Sequence, residues 1–240
     1  MACWPASPVP CTDGCDRQCR SICRDPTPVP LTQTTQVPLV TVMLRSMQRS
    51  SLMKALDSVA SQTDPAIEVL VVNARGGHHP EIGERCGAHA LRLVNQDGEP
   101  LGRPEAANLA MDQAHGQWLL FLDDDDQIDP DHIARLRCAS AQAPEAVAAY
   151  AGVRLIDPDG QVVGVLDEAF DSHRLWLANY LPIHAVLFSR EAVVSAGIRF
   201  DHDLPIYEDW DFWRQLSLVG PFLHLPGVSA SYCLVGDSGL

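Results

Sequence analysis

Trp118-Leu119-Leu120-Phe121-Leu122-Asp123-Asp124-Asp125-Asp126 decides how this chain is read. An apolar run this short, ending abruptly, suits a strand buried on both faces, the kind found in parallel sheets covered by helices. Four carboxylates follow it without a break. Like charges at neighbouring positions repel, so their convergence needs something to offset it. Side chains at a strand end alternate in direction, which predicts Asp123 and Asp125 on the same side. A hard cation, Mn²⁺ or Mg²⁺, held by one or two carboxylates with diphosphate oxygens and water completing its shell, supplies that offset. The plainer reading of the same residues is a solvated acidic turn extended by Asp129 and Asp131.

Outward from this run, apolar strands and helical periodicities alternate. Residues 37–44 and 67–72 read as buried strands, and 90–94 as a third. Residues 51–61 place Leu52, Ala55, Leu56 and Val59 at helical spacing, with Ser50 or Ser51 able to cap the start. A weaker helix is expected near 80–86, a stronger one over 105–114, and another over 130–141 with Pro130 at its first position. This order implies an α/β fold with a mostly parallel, Rossmann-like sheet flanked by helices. Ligands of such sheets sit at the carboxyl ends of the strands, where residues 123–126 fall. The second half suggests a smaller mixed β region. Strands are expected over 148–156 and 161–165, joined by the turn Asp157-Pro158-Asp159-Gly160, and a third over 183–188. A loop over 167–181 and helices over 190–196 and 209–219 complete the reading.

Tyr207-Glu208-Asp209-Trp210-Asp211-Phe212-Trp213 is the second concentration of chemistry. Glu208 or Asp209 suits a helix N-terminus, where the dipole favours negative charge, and the tryptophans suit packing. A carboxylate here becomes a general base only if it faces the aspartate run across a cleft. His184 either lines that cleft or sits satisfied in the core. His78 and His79 read as a turn or a zinc pair, and Arg154 and Arg174 as surface charges or phosphate contacts.

The formal charge of −14, from 31 acidic against 17 basic residues, repels phosphate over most of the surface and argues against a nucleic-acid partner. No run approaches the ~20 apolar residues of a membrane span, and the start lacks the layout of a signal peptide. A cytoplasmic protein without an integral membrane segment is therefore expected. Residues 1–36 form a Pro- and Cys-rich arm, expected to be poorly ordered, ahead of one domain over 37–240. Cys11, Cys15, Cys19 and Cys23 recur every four residues, a spacing that matches no usual zinc or cluster pattern.

Residues 38–233 resemble family 2 of the glycosyltransferases, inverting enzymes with the GT-A fold. The resemblance is carried, in order, by Ala55-Leu56-Asp57-Ser58-Val59-Ala60-Ser61-Gln62-Thr63, by Ile67-Glu68-Val69-Leu70-Val71-Val72, by Gly102 through Asn108-Leu109-Ala110, and by Ala114-His115-Gly116-Gln117 running into Trp118 and the aspartates. The segment from Tyr207 to Arg214 follows. The resemblance implies a nucleoside-diphosphate-sugar donor and a saccharide, lipid or other hydroxyl acceptor. It implies a metal at Asp123, Asp125 and Asp126, and donor contacts at Asn73, Asn108, Asp123 and Asp124. It places Glu208, Trp210 and His184 on the acceptor side, with Asp209 as the base. Three departures stand out. Arg45-Ser46-Met47-Gln48-Arg49 replaces a Pro-x-Tyr-Asn-like turn, Asn73-Ala74 replaces two aspartates, and Ala107 replaces an arginine. They keep open a second reading, a non-catalytic nucleotide-sugar-binding module of the same fold.

Overall fold

The computed structural model describes residues 39–234 of the chain. The expectations for the arm, including its cysteines, lie outside the described residues. The first half runs β1 (Val40–Ser46), α1 (Leu52–Ala60), β2 (Ile67–Asn73), β3 (Arg85–Cys86), β4 (His89–Val94), α2 (Arg103–Gln113) and β5 (Trp118–Asp123). All of β1 except Arg45 is buried, as a central parallel strand requires. It pairs in parallel with β2 on one side and β5 on the other, and β4 extends the sheet beyond β2. The strand order therefore diverges at β1. A crevice opens there at the carboxyl ends, between the loop after β1 and the loop after β5.

The second half continues through β6 (Gln127–Ile128), α3 (His132–Gln142), β7 (Ala148–Ile156), β8 (Val162–Leu166) and α4 (Ser172–Leu175). A 3₁₀ turn (Ile183–Ala185) then leads to β9 (Val186–Ser189), α5 (Arg190–Ala196), α6 (Glu208–Ser217) and β10 (Phe222–Cys233). Strand β9 is antiparallel to both β5 and β7, so it joins the parallel half to a mixed region. Helices flank the sheet, and the observed α/β architecture is the one expected. Among the described residues no helix is long and apolar enough to cross a membrane.

Several local expectations are corrected. Residues 80–86 form no helix. Gly83 and Gly87 take φ of +74° and +57°, and β3 turns back antiparallel onto β4. A Cβ at Gly87 would meet the Ala60 carbonyl oxygen at 2.9 Å, so this hairpin depends on glycine for space as well as for angle. Pro130 lies ahead of α3, whose cap position is Asp131. Ser51 occupies the cap position of α1 without a side-chain cap bond. Ile183–Ala185 is a 3₁₀ turn, not the start of a strand. The long strand β10 has no counterpart among the elements expected from sequence. Pro226 and Gly227 interrupt its pattern, and its pairing with β7 shifts register between Leu225 and Val228. Its far end pairs with β6, immediately after the aspartates, and so fixes where the acidic turn can go.

Candidate functional site

Strand β5 delivers Asp123 to the crevice, and the chain then turns tightly, with the Asp126 N–H donating to the Asp123 carbonyl over 3.1 Å. This turn, not strand alternation, brings one carboxylate oxygen each of Asp123, Asp125 and Asp126 within 4.8 Å of one another. Asp124 points elsewhere. It is fully buried and accepts from the Met47 backbone N–H at 2.7 Å and from Arg49 Nη1 at 2.7 Å. The expected donor contact by Asp124 is therefore corrected to a structural one: it anchors the loop that follows β1.

Asp126 is also buried. Its Oδ1 accepts from the Cys233 N–H at 2.9 Å, and its Oδ2 lies 3.0 Å from His184 Nδ1. That last contact is an ion pair by distance, while neither ring nitrogen of His184 has a partner at hydrogen-bond angles. Burial pulls the His184 pKa down, but Asp126 and its neighbours outweigh it and raise it overall. The ring stacks on Tyr232 at 5.8 Å and is fully enclosed. His184 thus lies beneath the acidic turn and does not face an acceptor, which corrects that expectation.

Arginines supply the missing counter-charge. Arg45 stands directly opposite Asp123 in the β1–β5 register and reaches its carboxylate at 2.9 Å. Its other terminal nitrogen is 3.6 Å from Glu208, and Arg103 at the start of α2 approaches the same Glu208 oxygen at 3.4 Å. Arg49 bridges Asp124 and Asp125 at 2.7 and 3.0 Å. None of the three arginines was singled out as a site residue from sequence. For Arg45 and Arg49 the available signal was their place in the departing turn after β1. Even so, Asp125 is pushed up to about 6, first by burial and then by Asp126 and Asp123, with Arg49 opposing. A group of carboxylates held together under that much mutual repulsion fits a hard divalent cation.

The second acidic patch opens α6. Tyr207 precedes the helix in a left-handed conformation, φ +63°, which turns Glu208 and Asp209 into the first helical turn without capping it. Glu208 is buried and its Oε2 has no hydrogen-bond partner. Asp209 is half-buried by its accessible surface yet closely surrounded by protein. It accepts from Asn179 Nδ2 at 3.1 Å and from the Trp210 N–H at 2.7 Å. Burial, and then the charge of Glu208, push its carboxyl up to about 6. One hollow of about 240 Å³ is lined by Asp123, Arg45, Arg103, Glu208 and Asp209 together. Asp123 of the first patch and Glu208 and Asp209 of the second therefore face a shared space, which Asp125 and Asp126 do not line. Trp210 does not line it: its indole N–H donates to the Leu175 carbonyl and holds α4 against α6.

The two asparagines are turned inward. Asn73 is fully buried, its amide directed at the carbonyls of Gly77, Asn95 and Gln96 while its oxygen accepts from Gln48. Asn108 clamps Phe200, donating to its carbonyl at 2.9 Å and accepting from its N–H at 3.0 Å. Donor contact by either is corrected to loop fixation, because each amide is already spent on backbone groups. Asn108→Ala leaves two buried backbone groups unpaired and is expected to cost about 2–4 kcal/mol in chemical denaturation. A loss under ~1 kcal/mol would show that the clamp does not hold this loop. His79 is likewise structural, bonding Ser46 Oγ at 2.8 Å, and exposed His78 pairs with Asp97. Arg154 pairs with Asp129 and Arg174 with Glu168, and neither arginine is among the residues that line the hollow.

A model of the family described as "Glycosyl transferase family 2" matches residues 40–169, more than half of the chain. A PGL/p-HBAD biosynthesis glycosyltransferase of Mycobacterium tuberculosis is 25% identical over 210 residues, covering 81% of this chain and 77% of that protein. The hyaluronan synthase of Pasteurella multocida is 24% identical over 88% of this chain but only 22% of its own length. Among solved structures, residues 1–349 of S. aureus TarS superpose with a TM-score of 0.63 at 17% identity, over 81% of this chain and 60% of that one. The mannosyltransferase PcManGT of Pyrobaculum calidifontis, solved with GDP-Man and Mn²⁺, gives 0.58 at 19% identity over 85% and 59%. At these identities the two structures show a common fold, and this chain spans about 60% of each.

Proposed function

The chain belongs to glycosyl transferase family 2, and from that premise we propose that it moves a sugar from a nucleoside-diphosphate sugar to a hydroxyl acceptor, with inversion and with a divalent cation. The observation that carries this reading is the single hollow onto which Asp123 and Asp209 both open. Asp123, Asp125 and Asp126 would hold Mn²⁺ or Mg²⁺ through hard oxygen ligands. When bound, that cation neutralises charge on the departing nucleoside diphosphate. Arg45 and Arg103, which line the hollow, add fixed positive charge toward the same phosphates. His184 and the Cys233 N–H keep Asp126 in place, and Asp124 with Arg49 keeps the β1 loop in place. Asp209 takes the proton from the acceptor hydroxyl, so the nucleophile enters on the face opposite the leaving group. One displacement of this kind inverts the anomeric centre.

The test is ligand linkage. Mn²⁺ together with a nucleoside diphosphate at a hundredfold excess over Kd adds about 2.7 kcal/mol. That corresponds to roughly 5–10 °C in Tm for a domain of this size. Chelation by EDTA is expected to remove the increment, and the lack of a shift with every nucleoside diphosphate tried would refute donor binding. The non-catalytic reading is favoured by the inward-turned Asn73 and by Ala74 and Ala107, which leave no polar side chain where the family carries charge. A metal-dependent shift without transfer to any acceptor would select it.

A further inference from the structure

We propose that the acceptor half of this hollow takes a hydroxyl compound with an apolar body, an aryl or alkyl group the size of one ring, in preference to an unsubstituted saccharide. The proposal rests on the transferase reading and names its acceptor class. Beside its charged residues and Asn179, Tyr180, Tyr207 and Tyr232, the hollow onto which Asp209 opens is lined by Leu166, Leu181, Pro182, Ile183 and Ile206. A polyhydroxylated ligand pressed into that wall loses water from each hydroxyl and needs a partner for each in return.

Few partners are free there. Asn179 lines the hollow, but its amide donates to Asp209 and its oxygen accepts from the Leu181 N–H at 3.2 Å. The Tyr180 hydroxyl donates to the Asp171 carbonyl and accepts from the Asp171 N–H. The polar side-chain groups left on this side are the Asp209 carboxylate, Glu208 Oε2 and the hydroxyls of Tyr207 and Tyr232. These groups serve the reacting hydroxyl and few others, and the five apolar side chains of the wall offer a sugar's remaining hydroxyls no partner.

The apolar character also continues outside. Ile206 and Tyr207 at the rim are 62% and 53% exposed. Tyr207 packs edge-on to Trp210 at 6.1 Å, and Arg214 lies over both Trp210 and Trp176, at 5.9 and 4.1 Å from their ring centres. Trp176 and Leu177 are 45% and 82% exposed beside them. Scattered exposed apolar residues are ordinary, but a run of them leading from a cavity rim points to a ligand that extends out of the cavity. The whole hollow is about 240 Å³ and is shared with the donor-side arginines, so its acceptor half holds no more than a ring-sized body and leaves the remainder outside.

The experiment is a calorimetric titration of the full chain, with Mn²⁺ and a nucleoside diphosphate present. The probes are benzyl alcohol (the phenyl compound), 1-octanol (the octyl compound) and methyl β-D-glucopyranoside, each below its solubility limit. The phenyl or octyl compound is expected to bind at least tenfold more tightly than the methyl compound, and the two arms distinguish a ring from a chain. Ile206→Asp, a change at an exposed loop position, is expected to erase the preference while nucleotide binding is retained. Equal affinities for the three, or no binding of either apolar probe, overturn the proposal. Loss of nucleotide binding by the unmodified chain would instead sink the transferase reading, so the two failures stay separate.

Discussion

Asp209→Asn is expected to lower the transfer rate by about 10²–10⁴-fold, the usual contribution of a positioned base. The substitution keeps size and shape, but the amide has one acceptor oxygen where the carboxylate has two, so either the Asn179 or the Trp210 bond is given up. What it removes is the ability to take a proton. In the wild type the group is surrounded by Glu208, by Asp123 across the hollow, and by Arg45 and Arg103, which already lean on Glu208. Burial and Glu208 push the Asp209 carboxyl up to about 6. A base works only when deprotonated, so the rate at saturating donor rises with pH through about 6 and is flat above it. At pH 5 roughly a tenth of the plateau remains. The variant loses this rise along with the rate. Initial rates from pH 5 to 8 for both proteins check it. A variant rate above about a tenth of the wild type would remove Asp209 from the reaction.

Asp125→Ala is expected to abolish metal-dependent transfer, a loss of at least about 10²–10³-fold, because the charge that the cation would offset on the leaving group is then left unscreened. Its stability signature separates this from damage to the fold. Asp125 is crowded by Asp126 and Asp123, whose repulsion its removal relieves. Arg49 keeps its bond to Asp124, so the β1 loop is still anchored. Without metal, the Tm of the variant is therefore expected to equal or exceed that of the wild type, while the upward shift on adding Mn²⁺ disappears. A variant that keeps both the Mn²⁺ shift and transfer would show that the acidic turn holds no cation in the reaction.

These outcomes bear on a site only partly legible in the chain. The acidic run was conspicuous because it interrupts an apolar strand, and Glu208-Asp209 because it opens an amphipathic helix. Asn73, Asn108, Asp124 and His184 misled because residue type states what a side chain can bond but not which way it faces. Each had a partner far along the chain: Asn95 and Gln96 for Asn73, Phe200 for Asn108, Met47 for Asp124, and Asp126 for His184.

Local patterning alone was enough to specify β1, α1, β2, β4, α2 and β5, with the carboxylates at a strand end. Periodicity and burial are properties of consecutive residues and leave their trace there. Folding in three dimensions decided the rest. It closed the strand β10 onto β6 despite Pro226 and Gly227, paired Arg85–Cys86 back onto β4 as a hairpin in place of a helix, and set Arg45, Arg49 and Arg103 against carboxylates distant in sequence. Attraction between charges depends on distance in space, and nothing in the spacing of those residues along the chain records it.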